Sequence, residues 1–128
     1  MDNLPTVLAI DDSPTAISMY QLGASKLHIN IVAYNSAEDA LPYLDENKPD
    51  LIFLDIMMPG MDGLTMLQEL REKPLHKETP VIVVTSKNYE QDKNVAKAHG
   101  AVDYIAKPIS IKQIIQCIVD HTNAKNKL

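Results

Sequence analysis

Asp11, Asp12, Asp55, Thr85 and Lys107 are the residues of this chain whose types and placing could do chemistry. Each stands at the end of a short apolar run. Asp11 and Asp12 follow TVLAI, Asp55 closes LIFLD, Thr85 closes VIVVT, and Lys107 follows AVDYIA. An ionised carboxylate in such a setting is costly unless a cation or hydrogen-bond donors meet it. If the runs are parallel strands, their carboxyl ends share one rim, and that rim is where open α/β sheets bind ligands. Three carboxylates brought together there repel one another, and a single lysine cannot neutralise them. A hard divalent cation that takes oxygen ligands and keeps some waters would supply the missing charge, which describes Mg2+. Cys and His are absent from these positions, so zinc is disfavoured. A divalent cation, a lysine and a hydroxyl together suit the transition state of a phosphoryl group. Asp55 would then be a carboxylate nucleophile able to form an aspartyl phosphate.

The elements that must position these residues are legible as alternating patterns. Residues 6–10, 29–34, 51–55, 81–85 and a short piece of 101–108 read as strands rich in Val, Ile and Leu. Between them lie helical patterns. The first runs from Ser13 to about Leu27, with Ile17, Tyr20, Ala24 and Leu27 on one face. The second opens at Ser36-Ala-Glu-Asp39, a capping box with Asp in place of Glu, and carries Ala40, Leu41 and Leu44. Pro42 is tolerable late in the first turn and would kink the helix further in. The third covers 62–72 with Asp62 as N-cap, and a loose KPLHKETP link follows it. Residues 89–99 form a weakly amphipathic fourth helix ending near Gly100. Ser110 and Gln113 make a second capping box ahead of a stripe of Ile111, Ile114, Ile115, Ile118 and Val119. Five strands alternating with five helices predict a parallel sheet with right-handed crossovers and helices on both faces.

Composition narrows the class. A chain of 128 residues, 45% hydrophobic and 23% charged, fits one globular domain, residues 1–128, with 122–128 a polar tail expected to fray. The net charge of -5 disfavours non-specific binding to nucleic acid or an anionic membrane. The start MDNLPTVLAIDD lacks the basic region of a signal peptide, and no apolar run reaches the length of a membrane span. The single Cys117 allows no internal disulfide and suits a reducing compartment, so a cytoplasmic protein is expected.

With Asp11-Asp12, Asp55 inside DIMMPGMDG, Thr85 and Lys107-Pro108 in order at the strand ends, the chain resembles the receiver domain of two-component response regulators from Val7 to about His121. The resemblance implies a flavodoxin-like (βα)5 three-layer sandwich with strand order 2-1-3-4-5. It implies that Asp55 accepts a phosphoryl group from the phosphohistidine of a sensor histidine kinase or a histidine phosphotransfer protein. Asp12, Asp55 and the backbone carbonyl of Met57 would hold Mg2+, with Asp11 assisting partly through water. Lys107, joined to Pro108 by a cis bond, would reach the phosphoryl oxygens. Thr85 would be the switch hydroxyl and Tyr104 the switch aromatic. The surface of the fourth helix, fifth strand and fifth helix would then control a protein partner, with no direct nucleic-acid contact and no membrane insertion. Met57 and Lys87, two residues after the acceptor and the switch threonine, occupy positions that tune dephosphorylation in that family. Neither is an obvious water-positioning base, so slow autodephosphorylation is expected of an otherwise non-enzymatic phosphoacceptor.

Each residue taken singly has a plainer reading. An Asp at a strand end is often a helix N-cap, Thr85 could be an ordinary strand residue, and Tyr104 a half-buried aromatic. Met57, Met58 and Met61 read as loop packing and Cys117 as a small buried hydrophobe. His28, His76, His99 and His121 share no ligand spacing and read as solvated. Two other functions are disfavoured. A phosphohydrolase of the haloacid dehalogenase type needs an Asp where Met57 stands, and a flavodoxin-like cofactor binder needs a phosphate-cradling loop where Asp11 and Asp12 stand. With no output domain after residue 121, a stand-alone, chemotaxis- or motility-type regulator is the expected arrangement. An isolated receiver piece of a larger regulator or hybrid kinase is the alternative.

Overall fold

A computed structural model of the chain describes residues 3–87 and 89–127. Its strands are β1 (Thr6–Ile10), β2 (Asn30–Tyr34), β3 (Leu51–Asp55), β4 (Val81–Thr85) and β5 (Asp103–Ala106). Its helices are α1 (Pro14–Ala24), α2 (Ala37–Glu46), α3 (Gly63–Glu72), α4 (Glu90–Ala98) and α5 (Ile111–His121), with a 3-10 turn at Pro74–His76 inside the 73–80 link. All pairings within the sheet are parallel, in the order β2-β1-β3-β4-β5. This is the expected flavodoxin-like arrangement.

The central strands are apolar throughout because both of their faces are covered. Val7, Ala9, Leu51, Phe53, Ile82 and Val84 point to a layer that includes Tyr20, Ile114, Cys117 and Ile118 of α1 and α5. Leu8, Ile10, Ile52, Leu54, Val81 and Val83 point the other way, to Ala40 and Leu44 of α2, Met66, Leu67 and Leu70 of α3, and Ala96 of α4. Alternate residues thus serve opposite layers, as the two-residue period of a strand requires. The ring of Tyr20 lies 4.8 Å from that of Phe53, which locks α1 to the sheet centre. Gly23 of α1 faces Ile114 so closely that a Cβ there would lie 2.9 Å from its Cγ2. Burial pushes the Cys117 thiol up to about 11, so it behaves as the small hydrophobe expected.

Helix starts follow the local signals. Ser13, Ser36, Asp62 and Ser110 each accept a backbone N–H three residues on. Gln113 also reaches back to the Ser110 N–H at 2.9 Å, completing that capping box. At Ser36 only the serine half is made among the described hydrogen bonds, because Asp39 is one methylene shorter than the usual Glu. Pro42 falls beyond the first turn of α2, and the helix continues past it to Glu46. Gly100 closes α4 with φ of 78°, a conformation that favours glycine.

Three expectations change. Residues 122–127 do not fray. Ala124 is buried, His28 N–H donates to the Lys125 carbonyl at 2.8 Å, and Leu27 pairs with Asn126 in an antiparallel bridge. His76 is not solvated but wholly buried, its Nε2 2.6 Å from the Leu44 carbonyl and its Nδ1 2.9 Å from Thr79 Oγ1. Val119, read as part of the apolar stripe of α5, is exposed; the helix turns Ile114, Cys117 and Ile118 inward instead. No helix among the described residues is long and apolar enough to cross a membrane.

Candidate functional site

The order β2-β1-β3 reverses the direction of winding at β1, so a crevice opens beyond the carboxyl ends of β1 and β3. Asp11 immediately follows β1 and Asp55 ends β3, and the pairing of Ile10 with Leu54 sets them side by side. Asp12 lies on the same rim. One carboxylate oxygen from each of Asp11, Asp12 and Asp55 falls within 4.8 Å of the others; Asp11 and Asp55 are buried and Asp12 is exposed.

The two buried carboxylates are held in the same way. Asp11 Oδ1 accepts the Ser13 N–H at 3.0 Å, and Asp55 Oδ1 accepts the Met57 N–H at 3.0 Å. Each therefore uses one oxygen on backbone two residues ahead and aims the other at Lys107. The Lys107 Nζ lies 2.8 Å from Asp11 Oδ2 and 3.4 Å from Asp55 Oδ2. Lys107 is set in turn by its own N–H, which donates to the Thr85 carbonyl at 2.7 Å, and the peptide bond that follows, to Pro108, is cis.

Electrostatics mark Asp55 as the stressed member. Burial raises its pKa to about 6; the Met57 N–H pulls the other way, Asp11 adds to the rise, and Lys107 opposes it. For Lys107, burial alone would lower the pKa, but the contact with Asp11 and the charges of both carboxylates outweigh it and leave the ammonium raised. The Asp11 Oδ2 is buried, and the 2.8 Å ion pair with Lys107 is its one polar contact among the described residues. A buried oxygen of this kind, beside two more carboxylates and a single cation, fits a hard divalent ion such as Mg2+.

Thr85 is fully buried at the end of β4, its Oγ1 accepting the Lys87 N–H at 3.1 Å. Tyr104 of β5 is half-buried against the α2–α4 layer, and its hydroxyl donates a long bond of 3.4 Å to the Lys87 carbonyl. The backbone of Lys87 therefore joins the threonine and the tyrosine, while its side chain is exposed. Burial, with Asp92 and Glu90 nearby, raises the Tyr104 pKa. Met57 is 43% exposed at the mouth of the site. The structure thus gathers Asp11, Asp12, Asp55 and Lys107 directly, with Thr85 joined through backbone and Tyr104 one step further out. Sequence reasoning missed Glu38, whose carboxylate accepts the Met61 N–H at 3.0 Å just outside the site; an acid in a first helical turn gives no sign of a partner 23 residues away. Arg71 was missed as well. At the far end of the strands it donates to the carbonyls of His76, Thr79, His99 and Gly100, and sequence offers no sign of such partners.

A five-stranded parallel sheet in the order 2-1-3-4-5, with clustered carboxylates at its switch point, defines the flavodoxin-like class of α/β domains. The chain belongs to the response regulator receiver domain family, whose model matches residues 7–119. It is 35% identical over 122 residues to a probable cyclic di-GMP phosphodiesterase of Vibrio cholerae, covering 95% of this chain and 27% of that protein. It is 32% identical over 108 residues to the alkaline phosphatase synthesis transcriptional regulatory protein PhoP of Bacillus subtilis, covering 84% of this chain and 44% of that one. The chain therefore spans less than half the length of these relatives. In fold it is similar to the chemotaxis response regulator CheY4 of Vibrio cholerae, with a TM-score of 0.84 at 24% identity over 92% of this chain and 98% of the other.

Proposed function

We propose that this receiver domain accepts a phosphoryl group on Asp55 from a phosphohistidine of a histidine kinase or phosphotransfer protein. The observation that carries this reading is the shared aim of two buried carboxylates at one ammonium beyond the strand ends, with Asp55 Oδ2 3.4 Å and Asp11 Oδ2 2.8 Å from Lys107 Nζ. The Asp55 oxygen attacks phosphorus, the phosphorus–nitrogen bond breaks, and the imidazole leaves with the electron pair and takes up a proton. An acyl phosphate remains. Lys107 meets the charge on the transferred oxygens, and the Met57 N–H keeps the second Asp55 oxygen in place. Asp12, Asp55 and the Met57 carbonyl would hold Mg2+, with Asp11 assisting; the ion would neutralise charge on the phosphoryl oxygens.

Two surface features support partners, one beside the rim and one on the face formed by α4 and β5. A mostly apolar groove of about 490 Å3, lined by Ala16, Met19, Pro108 and Ile109, opens beside Lys107, where a donor protein could seat. A cavity of about 180 Å3 lies between α4 and β5 and includes Lys93, Lys97, Val102 and Tyr104. New acceptor oxygens at Asp55 would draw Thr85 away from the Lys87 N–H, and Tyr104, bonded to the same residue, would follow. A partner that prefers one arrangement of this α4, β5 and α5 surface reads the state. Exposed Met57 and Lys87 offer no base to a hydrolytic water, which supports a long-lived acyl phosphate.

Incubation with Mg2+ and acetyl phosphate followed by intact-mass measurement tests the reading. Wild type is expected to gain one phosphoryl group and Asp55→Asn none. A wild type that gains nothing, or an Asp55→Asn protein that gains as much, overturns it.

A further inference from the structure

Between β3 and α3 the chain makes a loop over residues 56–62, which leaves the sheet directly after Asp55 and carries Met57. Its base is closed by the Gly63 N–H on the Ile56 carbonyl at 3.3 Å. The approach there is so close that a Cβ on Gly63 would lie 2.6 Å from Ile56 Cα. Its inner edge is pinned by the Met57 N–H on Asp55. Among the described residues, one hydrogen bond ties the outer tip to another element, and Glu38 makes it. The Glu38 Oε2 accepts the Met61 N–H at 3.0 Å. The carboxylate lies against the turn so tightly that a Cβ on Gly60 would fall 2.6 Å from the same oxygen.

Glu38 is well placed to serve as a strut. It stands in the first turn of α2, where the positive end of the helix favours a carboxylate. The Met61 N–H holds its pKa below the usual range, so it stays ionised. The helix behind it is anchored by Ala40 and Leu44 in the core. The loop has apolar support as well, since Met58 is buried and Met61 packs on the same layer. Loss of Glu38 therefore leaves the fold intact and frees the position of the loop tip.

We infer that Glu38 is a positioning residue for the acceptor site: it ties the tip of the 56–62 loop to α2 and so fixes the Met57 backbone toward Asp55. The part of this inference that concerns the ion rests on the assignment of the Met57 carbonyl to a Mg2+ site. Other positions on α2 could carry a charge toward the rim, but the 3.0 Å bond to Met61 needs an acceptor at the reach of a glutamate or glutamine side chain.

The test uses Mg2+ alone, on unphosphorylated protein, with binding followed calorimetrically and the Met61 amide followed by hydrogen exchange. Glu38→Ala is expected to speed Met61 exchange and weaken Mg2+ binding about tenfold, the scale of losing an outer support of a metal ligand. Glu38→Gln keeps an acceptor at the right reach and is expected to stay within about threefold of wild type in affinity. Glu38→Asp keeps the charge but is one methylene too short, and is expected to behave as Glu38→Ala. Rescue by Asp and not by Gln would show a charge effect and overturn the inference. So would Glu38→Ala with unchanged Met61 exchange, or with an affinity within about twofold of wild type. A wild type that binds no Mg2+ would instead defeat the reading of the site, and Met61 exchange across the same variants would still decide whether Glu38 fixes the loop.

Discussion

The ammonium of Lys107 rests on Asp11, 2.8 Å from its Oδ2. Asp55, the proposed acceptor, is the more distant partner at 3.4 Å. Two buried carboxylates thus share one cation, and the metal-free site carries more negative charge than its lysine can balance. A group that arrives with positive charge at Asp11 would release Lys107 toward Asp55, where the transferred phosphoryl oxygens are to be met.

Lys107→Met keeps the apolar stem and removes the charge. Without Mg2+, two buried carboxylates then face each other unpaired, and stability should fall by about 1–3 kcal/mol. That is about 3–5 °C in Tm per kcal/mol for a domain of this size. Added Mg2+ should recover most of the loss, because it supplies the missing charge. Thermal melts with and without Mg2+ check this, and an equal loss in both buffers would sink the idea.

Asp55 should make the metal-free protein less stable as pH rises. Its folded pKa is raised from 3.8 to about 6. A raised value means that the folded state binds the proton more tightly than the unfolded chain does. The resulting stabilisation is complete below the unfolded value and lost as pH climbs through about 6. Melts in chelator between pH 4.5 and pH 7.5 should show this decline, and Asp55→Asn should flatten it and melt higher at the upper end. A decline of the same size in Asp55→Asn would assign it to another group.

His76 lies at the opposite end of the strands from the site, between α2 and the start of β4. Because its Nε2 faces the Leu44 carbonyl, that nitrogen carries the hydrogen, and Nδ1 accepts from the Thr79 hydroxyl. His76→Ala would leave a cavity and two polar groups without partners, a loss of about 2–4 kcal/mol. Urea denaturation should show it, while Asp55 still accepts phosphate at temperatures where the variant stays folded. A loss below about 1 kcal/mol would mean that water replaces the ring, as it can at an accessible site.

The alternation of apolar runs with capped helical patterns determined the fold class, and the acids at the ends of those runs marked the carboxylates that the rim gathers. These are local signals: a two-residue period marks a strand, a serine or aspartate before an amphipathic stretch marks a helix start, and neither depends on distant partners. The parallel sheet follows from them because strands joined by helices have few other ways to pack. What only the tertiary structure decided is which groups meet across distance. His76 looks like any polar residue in a loose link until α2 brings the Leu44 carbonyl to within 2.6 Å of it. The polar tail looks free until Ala124 finds the core and Asn126 finds Leu27. Val119 looks apolar enough to bury, but the rotation of α5 against α1 turns Cys117 inward instead. Glu38 reads as an ordinary first-turn acid, and Gly60 as an ordinary turn glycine, until the fold sets one against the other. Burial and pairing are properties of neighbours, and the neighbours come from elements that the chain's local order does not place side by side.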